Sequence, residues 1–333
     1  MNGQILKTEA IYSFLVLIHF FLYPILVIVA ILEELQKWFT NDKCRSPHTL
    51  SGEVALITGS ARGLGRDIAI ALAKLGCHIA IVDVQEKLGE QTATSIAEKY
   101  NVKTKFYKID VRDYQQLLDL QKSITTDLGV VTILVNNAGI LTMSTIENPP
   151  VHEVHRMVDV NFTATFLITE IFLPKMKELN RGYIVNISSL SAMYPHYVFN
   201  LYAATKAALR NLTASLCIDL LESKSDVRAL VVCPSFLTTN KRITELLKIV
   251  KMGRLLFDID GEVVAEYIVR AMLRGDVEIT VPRILIVAYR LLATLPMSIL
   301  EKTIATFGKL GKTKNFESEA TQILKADDVP MKL

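Results

Sequence analysis

The sequence predicts an α/β fold built on a doubly wound, seven-stranded parallel sheet, with an N-terminal hydrophobic membrane helix ahead of it. Three observations carry that expectation. Short runs rich in β-branched residues recur along the chain, with stretches of helical spacing between them. The runs are apolar almost throughout instead of alternating, as strands covered by helices on both faces should be. Near the start of the chain, residues 11–32 contain no Asp, Glu, Lys or Arg.

Sixteen of the 22 residues from Ile11 to Leu32 are Ile, Leu, Val or Phe. As a helix rising about 1.5 Å per residue they would extend about 33 Å, enough to cross a hydrocarbon core. The run passes straight into Glu33-Glu34-Leu35-Gln36-Lys37-Trp38, which offers no small-residue cleavage site and so separates it from a secretory leader. Pro24 leaves a kinked span and a re-entrant hairpin both open. Lys37, Lys43 and Arg45 slightly exceed the positive charge before the run, Lys7 and the amino terminus. The large part of the chain is therefore expected on the cytosolic side. Residues 1–38 read as a membrane anchor and residues 39–51 as a linker.

Strands are expected at Val54–Thr58, His78–Asp83, Lys105–Ile109, Thr132–Asn136, Tyr183–Ile187, Val227–Cys233 and Val277–Val281. Together with the helices between them they make one doubly wound domain over residues 52–283. Beyond it, Ile284–Met297 is apolar enough to lie on a bilayer or droplet surface, or equally to pack on the domain. The polar residues that close the 284–333 segment read as a mobile tail. The 333 residues are 50% hydrophobic with a net charge of +3, and the mean hydropathy of +0.32 fits a membrane-associated chain. No basic stripe marks a nucleic-acid binder. Cys44, Cys77, Cys217 and Cys233 lie far apart without metal spacing, so no metal site is expected.

The run Thr58-Gly59-Ser60-Ala61-Arg62-Gly63-Leu64-Gly65 sits where the first strand ends and the first helix begins. Glycines there allow a tight turn and close approach of backbone to a pyrophosphate, and the helix aims free N–H groups and its positive dipole end at phosphate. A glycine triplet is weak evidence by itself, but this one has the required strand–turn–helix context. Asp83 ends the second strand, 18 residues after Gly65. Its carboxylate suits a ribose diol and repels the extra phosphate of NADP, which favours NAD. Arg62 could pair with that phosphate and keeps NADP as the alternative. Asp110, after the third strand, is placed near the adenine. The turn Asn136-Asn137-Ala138-Gly139, after the fourth, is placed near the middle of the cofactor.

Tyr202 and Lys206 are four residues apart on one helix and share a face. An ammonium about 4 Å from a phenol could supply about 4 kcal/mol at an effective dielectric near 20. That amounts to about three pKa units and would bring the phenol towards neutrality. Tyr202 could then exchange a proton with a carbonyl or an alcohol. Ser189, thirteen residues earlier, can hydrogen-bond the reacting oxygen. Chance alone is a poor explanation for this serine, this pair and the glycine loop in one chain.

These motifs resemble the short-chain dehydrogenase/reductase family of NAD(P)(H)-binding Rossmann proteins over roughly residues 50–282. The resemblance implies Tyr202 as general acid/base and Ser189, by its spacing in preference to Ser188, as the positioner of the substrate oxygen. It implies that Lys206 lowers the Tyr202 pKa and binds the nicotinamide ribose, and that Asn161 supports a proton-relay water. Gly59, Ser60, Arg62, Gly63, Leu64, Gly65, Asp83, Asp110, Asn137, Ala138, Gly139, Tyr202 and Lys206 would bind cofactor. So would Pro234 and Thr239 (or Thr238), although Ser235 replaces the common glycine of that motif.

The N-terminal hydrophobic segment further resembles the branch holding retinol dehydrogenases and lipid-droplet 17-beta-hydroxysteroid dehydrogenases. That branch implies NAD-dependent oxidation of a lipophilic alcohol at the endoplasmic reticulum membrane or a lipid droplet. Residues 240–258 are expected to cover the substrate. A homodimer is frequent in the family, and no residue here demonstrates one. Two other readings stand beside the first: an NADPH-dependent 3-keto lipid reductase, and a catalytically silent lipid-surface scaffold.

Overall fold

The computed structural model describes residues 50–142, 149–193, 199–235 and 259–292, with scattered positions in 13–32 and 295–306 and the pair 331–332. The chain divides into two compact units, Met1–Pro47 and His48–Leu333. In the first, residues 21–25 and 27–29 are helical, and Phe21, Leu22, Ile25 and Ile28 expose about half of their surface or more. Most of the expected anchor and linker lies outside the described residues, as do Thr238, Thr239 and residues 240–258.

The second unit is a doubly wound sheet. In chain order its parts are β1 (Val54–Thr58), α1 (Gly63–Ala73), β2 (His78–Asp83), α2 (Glu86–Tyr100), β3 (Thr104–Lys108), α3 (Tyr114–Asp127), β4 (Val131–Asn136) and the short β5 (Ile140–Leu141). There follow α4 (Val151–Val158), a π-helical turn at Asp159–Thr163, α5 (Ala164–Glu178), β6 (Tyr183–Ile187) and α6 (Asn200–Glu222). The remainder are β7 (Arg228–Pro234), α7 (Gly261–Arg274), β8 (Glu278–Val281), α8 (Ile284–Leu292) and β9 (Met331–Lys332). The main sheet has the order β3-β2-β1-β4-β6-β7-β8, and every neighbouring pair in it is parallel. Four strands begin or end a residue away from their expected bounds. The two-residue strands β5 and β9, which pair with each other, carry no periodicity from which a sequence could announce them.

Why these strands are apolar throughout is visible in β1. Ala55 and Ile57 face one layer, with Leu64, Ile68 and Leu72 of α1 and Val264, Ile268 and Met272 of α7. Val54 and Leu56 face the opposite layer, with Leu117, Leu120 and Ile124 of α3 and Ala164, Ile168 and Phe172 of α5. Each buried aliphatic side chain contributes about 1.5–3 kcal/mol over its exposed state, so both faces of a strand must be apolar to hold both layers.

Among the described residues one helical stretch, Val151–Glu178, is long and apolar enough to cross a membrane, but it is nearly half buried. Its apolar stripe packs on the sheet. A polar ladder crosses the same layer. Asn136 of β4 and Asn186 of β6 stand opposite each other in register. The Asn136 Nδ2 donates to Asn186 Oδ1 at 2.9 Å and to Thr169 Oγ1 of α5 at 3.2 Å. In turn, Asn186 Nδ2 donates to Thr213 Oγ1 of α6 at 2.9 Å.

Candidate active site

The carboxyl ends of β1, β4, β6 and β7 bring the expected residues to one edge of the sheet. The glycine loop turns out of β1 with Gly59 and Gly63 at φ of +64° and +63°, a left-handed backbone that glycine adopts without strain. A Cβ on Gly65 would lie 2.6 Å from the Gly59 carbonyl oxygen and 2.5 Å from Asn137 Nδ2, so no side chain fits. Thr58 Oγ1 accepts from the N–H groups of Asn137 and Ala138, each at 3.0 Å. Asn137 Nδ2 donates back to the carbonyls of Thr58 and Gly59 at 2.9 and 3.1 Å. Ser60 is fully buried, its hydroxyl donating to Ile57 O at 2.7 Å and accepting from Val82 N at 3.2 Å. The side chains of Ser60 and Asn137 therefore brace the loop.

Helices α3 and α7 begin with aspartate caps, Asp113 and Asp260, accepting from Gln116 N and Glu262 N. Helix α1 begins at Arg62 with no side-chain cap. Its first-turn N–H groups, beside a loop no Cβ could enter, fit a phosphate. Asp83 is held at the same place. Its Oδ2 accepts from Ala61 N at 3.2 Å and its Oδ1 from Gln85 N at 2.9 Å. The arrangement fits a dinucleotide whose ribose meets a fixed carboxylate. Arg62 is exposed at the rim of the loop. Asp110, after β3, binds the Arg112 guanidinium through both carboxylate oxygens, Oδ1 accepting from Nε and Oδ2 from Nε and Nη2.

Past β6, Ser188 and Ser189 part company. The Ser188 hydroxyl donates to the Lys206 carbonyl at 2.7 Å. The Ser189 hydroxyl accepts from Ser191 N and Ser191 Oγ at 3.2 and 2.8 Å, and it shares a hydrogen bond with the Tyr202 phenol. Tyr202 and Lys206 are both buried on α6, with the Lys206 ammonium 5.7 Å from the phenol ring centroid and donating to Ile187 O at 2.9 Å.

The electrostatics differ from the simple expectation of an ammonium lowering a phenol. Burial raises the Tyr202 pKa above the usual phenol range, and the bond to Ser189 opposes that rise. Burial also pushes Lys206 down to about 8. Desolvation disfavours the charged form of either group, and it dominates at both. Asn161 sits fully buried in the π-helical turn. Its Oδ1 accepts from Ile140 N at 2.8 Å, while its Nδ2 donates to Ile140 O at 2.9 Å and to Thr205 Oγ1 at 3.1 Å. Asn161 thus binds β5 and α6 directly. Pro234 closes β7, in register with Val281 of β8.

The profile of the short chain dehydrogenase family matches residues 53–246. The chain belongs to that family. Over 191 residues it is 36% identical to short-chain dehydrogenase/reductase family 16C member 6 of Bos taurus, a match covering 57% of this chain and 60% of that protein, less than two thirds of its length. It is 29% identical over 251 residues to epidermal retinol dehydrogenase 2 of Mus musculus, covering 74% of this chain and 80% of the mouse protein. A solved short chain dehydrogenase/reductase from Burkholderia phymatum, in complex with NAD, shares the fold with a TM-score of 0.66 at 22% identity, covering 73% of this chain and 93% of that one.

This short chain dehydrogenase also carries site residues that motif reading missed. Thr205, inside the Tyr202–Lys206 motif, passes a hydrogen bond from Asn161 to the Tyr202 carbonyl, which accepts from it at 2.8 Å. Cys233 of β7 lies fully buried beside Ser188 and the Ser189 N–H, its thiol pushed up to about 12 by burial. Arg210, one helical turn past Lys206, pairs with Glu278 of β8 and lies over the Tyr289 ring of α8, 5.2 Å from its centroid. The spacing of four from Tyr202 through Lys206 to Arg210 was the available signal. For Cys233 there was none.

Proposed function

We propose that this short chain dehydrogenase is an NAD-dependent oxidoreductase that interconverts a lipophilic alcohol, of retinol or steroid type, and its carbonyl, with Tyr202 as general acid/base. The observation that carries the reading is the convergence of Ser189 and Lys206 on a buried Tyr202, on the sheet edge that also bears the uncapped glycine loop. Bound on that loop, the dinucleotide accepts or supplies a hydride. The N–H groups that open α1, from Gly63 to Gly65, would hold its phosphates, with Asp110, Asn137, Ala138 and Gly139 beside it. Asp83, fixed by Ala61 and Gln85, selects NAD by repelling a ribose phosphate. Lys206 would meet the nicotinamide ribose and Pro234 the nicotinamide.

Burial keeps the Tyr202 phenol protonated, which suits proton donation to a carbonyl oxygen. In the oxidation direction Tyr202 would act as the phenolate, held by the Ser189 hydroxyl and the Lys206 ammonium, and would become the neutral phenol on taking the alcohol proton. Ser189 Oγ also fixes the reacting oxygen, and Asn161 keeps the relay from β5 to α6 in place. The exposed apolar residues of the 11–32 segment, with Ile284 and Leu291 of α8, suit attachment to the endoplasmic reticulum membrane or a lipid droplet, where such alcohols dissolve. The exposed Arg62 favours a second reading, NADPH-dependent reduction of a 3-keto lipid.

The test follows NADH and NADPH fluorescence of the detergent-solubilised chain with retinoid, steroid and fatty alcohols and their carbonyls. NAD-dependent turnover of a lipophilic alcohol is expected, reduced at least about 100-fold in Tyr202→Phe. Turnover with NADPH and 3-keto lipids alone would transfer the assignment to the second reading. No turnover with any of them would refute both.

A further inference from the structure

Strand β5 is held from both sides. Ile140 gives its N–H and its C=O to the carboxamide of Asn161, which takes the place of a neighbouring strand. Successive residues of a strand aim their backbone groups at opposite edges, so the N–H and C=O of Leu141 face away from Asn161. On that far edge lies β9, antiparallel, with Leu141 opposite Met331 and Ile140 opposite Lys332. A two-residue strand has no stability of its own and keeps its place through its neighbours. Here one neighbour is a site residue and the other is a segment 190 positions further along the chain (331 − 141).

We propose that Met331–Lys332 is a positioning element of the active site: by adding a strand to the free edge of β5 it fixes Ile140, and through Ile140 the carboxamide of Asn161. From Asn161 the connection continues through Thr205 Oγ1 to the backbone carbonyl of Tyr202. Strand β5 begins directly after the Asn137–Gly139 turn that is bolted to Thr58, so its forward end is anchored by the glycine loop. Its side chains are closed off from solvent, with Ile140 and Leu141 at 3% and 5% exposure. The added strand therefore seals the edge of a segment lying between the cofactor loop and the acid/base helix. It works as strand addition does in peptide recognition, main-chain bonds supplying the hold.

The part of this inference that concerns turnover rests on the oxidoreductase reading above; the pairing itself does not. The test uses the full chain in detergent with Met331→Pro, which removes one N–H from the pairing edge, and Met331→Leu, which keeps it. Amide exchange of a peptide covering 138–142 is read by mass spectrometry, alongside kcat and cofactor affinity. Met331→Pro is expected to accelerate exchange in that peptide and to lower kcat about tenfold, the scale of one or two backbone hydrogen bonds, with cofactor Kd unchanged. Met331→Leu should match the parent in all three. Unchanged exchange in Met331→Pro, or faster exchange with unchanged kcat, would overturn the proposal. If the parent chain turns over no substrate, the oxidoreductase reading fails, and the exchange result alone then decides whether the strand holds β5.

Discussion

Lys206 offers a direct test of how the site is charged. Its ammonium is buried, and burial depresses its pKa from 10.5 to about 8. Below pH 8 the group is charged in both folded and unfolded chains, and the folded state carries the full cost of desolvating it. Between pH 8 and 10.5 the folded chain has released the proton while the unfolded chain still binds it. Stability therefore rises with pH across that window, because the unfolded state binds more protons. A shift of this size corresponds to about 3 kcal/mol, at about 1.4 kcal/mol per unit.

Whole-protein stability will not show the rise plainly, because neighbouring groups act in the opposite direction. Cys233 and Cys77 are both pushed up to about 12 by burial. Their unfolded thiols lose protons first, and stability falls as pH rises above about 9. The phenol of Tyr202 adds to that fall above about pH 10. The informative quantity is the stability of the parent minus that of Lys206→Met, from urea unfolding in detergent at intervals from pH 7 to 10.5. Both proteins share the Cys77 titration, and the difference reports Lys206 together with its coupling to Cys233 and Tyr202. It should shift by about 3 kcal/mol in favour of the parent across the window. A flat difference would mean that the ammonium is solvated in the folded chain and would refute the reasoning from its burial.

The two serines after β6 should separate cleanly. Ser189→Ala should lower kcat about 100-fold or more with little change in melting temperature, whereas Ser188→Ala should cost about 1 kcal/mol of stability and leave turnover near the parent level; steady-state kinetics and thermal melts decide between them. Gly65→Ala drives a methyl into the Gly59 carbonyl, and should destabilise the chain by about 1–3 kcal/mol and raise the Kd for NADH, measured by fluorescence titration. Asp83→Ser should erase at least about tenfold of the preference for NAD over NADP in kcat/KM, since one charge repulsion near a surface is worth about that much. An unchanged ratio would show that Asp83 does not select the cofactor.

Much of this molecule was legible in its sequence. Strands covered on both faces are apolar at most positions, and that constraint left a readable trace in the central runs, whereas the edge strand β3 carries two lysines. The glycine loop was legible because its backbone tolerates no Cβ, and the Tyr202–Lys206 pair because a helix repeats every four residues. What remained hidden depends on neighbours distant in the chain. The π-helical turn around Asn161 uses residues that would form an ordinary helix equally well. Strands β5 and β9 are too short for any pattern. The side chains of Ser60 and Asn137 belong to a type that binds ligands or braces loops with equal ease, and only their partners, Ile57, Val82, Thr58 and Gly59, show that they brace. The opposing shifts of Tyr202 and Lys206 follow from depth, which spacing along one helix does not encode.

The ladder of carboxamides and hydroxyls across β4 and β6 bears on how the molecule reaches this arrangement during folding. Asn136 can meet Asn186 in only one alignment of the two strands, and a slip by a single residue would send each carboxamide into the opposite, aliphatic layer. The carboxamides would then lose their partners, at about 1–3 kcal/mol each, while the Thr169 and Thr213 hydroxyls would keep the carbonyls of Thr165 and Leu209. Apolar strands of similar composition slide past one another cheaply, so these residues act as a locating pin. Because Thr169 and Thr213 engage the same pin, the helix that continues from Asn161 and the helix that bears Tyr202 are aligned by one event. A misassembled sheet would therefore fail to close as a folded protein before it could present a misaligned site.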